Sequence, residues 1–113
     1  MSNDHEFRDP EKAIEYIFKH GKKYAQARAN RIYMEEYRKS LKAILMKRSL
    51  ENAVNAQERE AYSDPEYVQH LKNLQTAVEE EETERWGLVA AQARIEVWRS
   101  IEATNRAEGK ATV

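Results

Sequence analysis

The chain has no cysteine, two prolines and three glycines among its 113 residues. Without cysteine there is no disulfide, no thiolate nucleophile and no Cys-ligated zinc, a composition that suits a reducing compartment. No apolar run approaches the roughly 18 residues of a membrane span. The opening MSNDHEFRDP has neither the basic nor the apolar region of a signal peptide. A soluble, intracellular protein with no membrane partner is expected. Catalytic signatures are missing too. The serines have no recognisable His/Asp arrangement, and there is no glycine-rich phosphate loop. No histidine stands three residues after a glutamate, so the di-iron bundle signature is absent. His5, His20 and His70 are scattered and read as surface or capping residues. The expectation is a protein that is not an enzyme and takes no metal or cofactor.

What the chain does have is charge and helical periodicity: 41% of its residues are hydrophobic, 35% are charged and the net charge is −1. Four of the five helix breakers fall where helices are expected to begin or end. Asp9-Pro10-Glu11 is a start signal: an Asp cap, a proline where no backbone donor is needed, and an acid at the positive end of the helix dipole. Gly21 suits a C-terminal cap. Ser63-Asp64-Pro65-Glu66 repeats the start signal, and Gly109 lies near the last stop.

One domain over residues 1–113 follows. It has a short helix at about 10–20, a long arm at about 22–62, a tight turn at 63–65 and a second arm at about 65–107. A short connection places helices side by side and antiparallel. The predicted fold is therefore all-α, a long coiled-coil-like helical hairpin with a short N-terminal helix. Each arm would span about 60 Å at 1.5 Å per residue.

A reversal at 63–64 makes residues whose numbers sum to about 127 level with each other. Ile32 should then meet Ile95, and Ser40 should meet Gly87, the close approach explaining a glycine inside a helix. Apolar positions run along each arm at helical spacing: Tyr33, Tyr37, Leu41 and Ile44 in one, Leu88, Ala91, Ile95 and Trp98 in the other. Further apolar residues widen both stripes. Leu45, Met46, Leu50 and Val54 form a shoulder on the first arm that suggests a homodimer, two hairpins making a four-helix bundle. Trp86 and Trp98 read as core or interface anchors, with Ile14, Ile17 and Phe18 of the short helix covering part of the surface.

Charge is unevenly distributed. Residues 19–48 carry a net +8 and residues 49–84 a net −8. Glu79-Glu80-Glu81-Glu82 with Glu84 should face Lys42, Lys47 and Arg48 across the hairpin. At the open end Lys19, Lys22, Lys23, Arg28 and Arg31 lie among tyrosines, and the hairpin would add Arg94, Arg99 and Arg106. Bases interleaved with aromatics can track a phosphate backbone and stack bases. No readout motif is present, so such binding, single-stranded DNA included, would be sequence-tolerant.

Three stretches, YRKSLKAILMK (37–47), NAQEREAYSDPEYVQHL (55–71) and AVEEEETERWGLVAAQARIEVWRS (77–100), resemble a family of small uncharacterised bacteriophage proteins encoded among recombination and single-strand-annealing genes. The resemblance implies phage DNA metabolism in the bacterial host cytoplasm and no site residues. The expected function is an accessory protein of DNA recombination or replication that binds a protein partner, nucleic acid or both. The alternative is an inhibitor of a host defence or nuclease complex that presents an acidic helical surface.

Overall fold

The computed structural model describes residues 10–111. Asp9 and His5 lie outside the described residues. The elements are α1 (Glu11–Arg48), α2 (Val54–Ser63) and α3 (Pro65–Ala111), and there is no strand among the described residues. The chain forms two compact units. The first joins the segment up to Tyr24 to the segment from Thr83 onward, and the second is Ala25–Glu82. In each unit α1 and α3 pack antiparallel, so the all-α helical hairpin expected from the sequence is the fold.

The first helix differs from expectation. There is no short helix ending at Gly21, because α1 runs through it. Gly21 has an ordinary helical backbone, with no positive φ. A glycine costs only about 1 kcal/mol relative to alanine inside a helix, and strong helix formers flank it on both sides. The first arm also stops at Arg48, not near residue 62. Lys47 and Arg48 fill its last turn, where cations suit the negative end of the dipole. Beyond it the Ser49 N–H donates to the Met46 carbonyl at 3.1 Å. The Ser49 hydroxyl accepts from the Glu51 N–H at 3.1 Å and donates to the Glu60 carboxylate. A serine that offers the backbone such local alternatives favours a turn over a helix interior.

The SDPE restart is real but is not the whole reversal. The Asp64 carboxylate accepts from the Glu66 N–H at 2.8 Å and its carbonyl from the Val68 N–H at 3.0 Å. That is a side-chain cap on a helix whose first residue is proline. The helix it separates from α3 is the ten-residue α2, so the chain reverses over residues 49–64. Leu41, Leu45, Ala61 and Tyr67 form the buried cluster there, with Tyr37 and Met46 packed against it.

Spreading the reversal over that segment changes the register. A turn at 63–64 would bring about residue 107 level with His20, but Glu84 is there. Gly87 faces Tyr16 rather than Ser40. In the second unit Arg31 meets Glu81, so Ile32 lies near residues 80–81 and is not level with Ile95. The inward positions of α3 follow the alternating three-and-four spacing of a coiled-coil seam. They are Tyr67, His70, Leu74, Ala77 and Glu81 in the second unit, and Glu84, Leu88, Ala91, Ile95 and Trp98 in the first. Alanine recurs at the most buried points, Ala13 and Ala91 in one unit and Ala61 and Ala77 in the other, which lets helices approach closely.

Candidate functional site

Glutamates occupy seam positions in both units. In the second, Glu81 is 7% exposed. It takes a bidentate pair from Arg31, with Nε–Oε2 at 2.5 Å and Nη2–Oε1 at 2.9 Å. Arg31 also donates from Nη1 to Glu35 at 3.0 Å. The hydrogen bond to Glu81, aided by Glu35, raises the guanidinium further above its already high range despite desolvation. Arg31 is thus committed to two carboxylates, and as a phosphate contact it would have to break them.

In the first unit, His20 Nδ1 lies 2.8 Å from Glu84 Oε2, and its ring stacks on Tyr16 with centroids 3.9 Å apart. His70, in the second unit, has Nε2 2.7 Å from the Met34 carbonyl oxygen. Both histidines are half-buried and bridge neighbouring helices, where the sequence suggested surface or capping positions.

The acidic run therefore does not present one face. Glu79 and Glu80 are exposed, whereas Glu81 and Glu84 turn into their seams. Nor do the expected cross-arm bases meet it. Lys42 pairs with Glu58 at 2.7 Å and Arg48 with Glu66 at 3.4 Å, because the early end of α1 brings these bases to α2 and to the start of α3.

The basic residues divide between the units. Lys19, Lys22 and Lys23 are in the first unit and exposed. Their i, i+3, i+4 spacing puts them on one face of α1. None of them forms an ion pair among the described residues. Arg94, Arg99 and Arg106 are also exposed in that unit, but the register sets them apart from the lysines. With His20 level with Glu84, Arg94 stands about 15 Å further along α3, Arg99 about 22 Å and Arg106 about 33 Å. Arg99 in addition contacts Glu96 at 3.3 Å. Within the first unit the returning arginines extend past the lysines, and Arg28 and Arg31 belong to the second unit.

The suggested dimer shoulder also changes. Leu45 is core, and Met46 packs against it. Leu50, 97% exposed, and Val54 are open to solvent. In the first unit Phe18 is 82% and Trp86 58% exposed, so of the two roles expected for Trp86, core or interface anchor, it does not fill the core one. Trp98 is half-buried in the seam.

A feature that sequence reasoning missed lies in the second unit. Arg38, Lys39 and Lys42 of α1, Tyr62 of α2 and Tyr67 of α3 line a cleft of about 420 Å³. Lys42 Nζ sits 4.8 Å from the Tyr62 ring centroid. The hydrogen bond from Lys42 to Glu58, with the nearby Tyr62 adding to it, raises its ammonium above the ordinary lysine range. The two tyrosines meet edge to face, with centroids 5.3 Å apart at 78°. The i, i+4 spacing of Arg38 and Lys42 was visible in the sequence, but their meeting with Tyr62 depends on where α1 ends. No group of metal-ligating side chains occurs among the described residues, and no described helix is long and apolar enough to cross a membrane. Comparison with family models, with curated proteins and with solved structures finds no match.

Proposed function

We propose that the protein is a non-enzymatic accessory factor that binds single-stranded nucleic acid without reading its sequence. The observation that carries this reading is the lysine face of α1. Lys19, Lys22 and Lys23 are exposed, share one face and are not neutralised by any described carboxylate. Such a face can hold consecutive phosphates and release their counterions, which gives affinity without base specificity. The resemblance to phage proteins of recombination loci supplies the setting, DNA recombination or replication in a bacterial host. Self-association belongs to the same proposal. The chain buries few large apolar side chains while leaving Phe18, Leu50 and Trp86 in solvent, and a second copy would cover them. The acidic run adds less to the inhibitor alternative than its length suggests, since Glu81 and Glu84 of its five acids turn into the seams.

The test is fluorescence anisotropy with a labelled fifteen-nucleotide oligothymidylate over a salt series. Replacing Lys19, Lys22 and Lys23 by Ala should weaken binding and lower the salt slope by roughly 0.7 for each lost phosphate contact on a single strand. Wild-type protein that fails to bind at low salt would sink the reading.

A further inference from the structure

We propose that the cleft between Arg38, Lys39, Lys42, Tyr62 and Tyr67 binds a nucleotide, with its phosphate on the cations and its base against Tyr62. The inference deepens the nucleic-acid reading above, which assigned phosphate contacts to another face and no contact to a base.

The lining has the two chemistries a nucleotide needs. Tyr62 is 47% exposed, so part of its ring is open to a flat partner. Tyr67 is buried and meets that ring edge to face, which fixes its orientation. A pre-set aromatic surface loses little entropy when a base stacks on it. Lys42 sets its ammonium over one face of the Tyr62 ring and is itself held by Glu58. Its charge is therefore largely compensated, and it acts as a wall. Arg38 and Lys39 are the available cations. Arg38 forms no ion pair among the described residues, and Lys39 has only a 3.4 Å surface contact with Glu36, of the kind that contributes little. A guanidinium and an ammonium beside one another suit a phosphate, the guanidinium bidentately. The volume, about 420 Å³, falls within the range of small-molecule sites.

The nucleotide could come free or as one unit of a single strand, and the experiment separates the two. Wild type, Tyr62→Leu, Tyr62→Phe, Arg38→Ala and the Lys19/Lys22/Lys23 triple alanine variant are titrated with labelled oligothymidylate by anisotropy. Thymidine monophosphate is titrated by calorimetry. Thermal melts confirm that each variant is folded.

Loss of one stacked base should make Tyr62→Leu bind the oligonucleotide roughly tenfold more weakly. Tyr62→Phe should bind like wild type, and Arg38→Ala should reduce the salt slope by roughly 0.7. Tyr62-dependent binding of the mononucleotide without binding of the oligonucleotide supports the cleft as a free-nucleotide site while removing the single-strand reading. Oligonucleotide binding that is lost in the triple lysine variant but unchanged in Tyr62→Leu and Arg38→Ala overturns the cleft and leaves the lysine face standing. Binding of neither probe overturns both. An oligoglutamate peptide that binds as tightly, with the same Tyr62 dependence, overturns the nucleotide as the ligand.

Discussion

The hydroxyl of Tyr16 occupies the space where a side-chain carbon on Gly87 would stand, and the ring carbons Cζ and Cε1 lie 3.0 and 3.2 Å from that same point. The glycine inside α3 is therefore a slot for a tyrosine, which in turn carries the ring of His20. Gly21 is the contrasting case, with nothing within 4 Å of the corresponding position.

The two glycines should respond oppositely to the same substitution. Gly21→Ala should stabilise the protein by about 0.5–1 kcal/mol, through helix propensity and a less flexible unfolded chain. Gly87→Ala gains the same propensity but forces the Tyr16 ring out of its slot, an overpacking cost of roughly 1–3 kcal/mol, so the net change should be a loss. Urea unfolding measures both. Adding Tyr16→Ala to Gly87→Ala should recover part of the loss, a coupling that a backbone effect alone would not produce.

The Arg31–Glu81 pair should behave as a seam interaction and not as a surface one. Either Arg31→Met or Glu81→Leu alone strands a polar partner and should lower Tm by about 5 °C or more. The double variant Arg31→Met/Glu81→Leu should be more stable than either single variant. Equal, additive losses in scanning calorimetry would show that the two side chains do not act as a pair.

Lys42 gives a signed pH dependence. Its folded pKa is raised above the ordinary 10.5, chiefly by the hydrogen bond to Glu58, with the nearby Tyr62 adding to it. The stability linked to that shift is fully present below the unfolded value and is lost as pH rises toward the folded one. The stability difference between wild type and Lys42→Met should hold from pH 7 to about 10 and shrink above the ordinary lysine value. A difference that already shrinks between pH 7 and 9, in urea melts at fixed ionic strength, would contradict it.

The cap at Asp64 should be worth about 1 kcal/mol, so Asp64→Ala should lower stability by that amount and Asp64→Asn by much less. Chemical denaturation with the helical circular dichroism signal checks both.

Core and exposed leucines should separate cleanly. Leu41→Ala, in the buried cluster with Leu45, Ala61 and Tyr67, should cost about 2–5 kcal/mol. Leu50→Ser changes a side chain open to solvent and should alter the stability of a single copy by less than about 0.5 kcal/mol. If Leu50 joins two copies, the same variant should reduce the assembled fraction seen by light scattering at high protein concentration.

Composition, breakers and spacing were enough for an all-α hairpin, since three glycines and two prolines leave little but helix and the start signal at Ser63-Asp64-Pro65-Glu66 is local chemistry. The capping carboxylate and the proline act within a few residues of each other, so their outcome is written in the chain. Where the first arm stops was not. Ser49 ends α1 through contacts with Glu51 and with Glu60, a residue eleven positions on, and Gly21 is kept helical by the helix around it. That one boundary moves every cross-helix neighbour. It puts Glu81 on Arg31, Glu84 on His20 and Tyr16 on Gly87, places Leu45 in the core, draws Lys42 toward Tyr62 and carries Arg99 and Arg106 past the lysines. Residue spacing determines which side chains share a face of one helix, because the helical repeat is the same everywhere. The partner of each face depends on the length of the reversal between helices, which packing among distant residues decides.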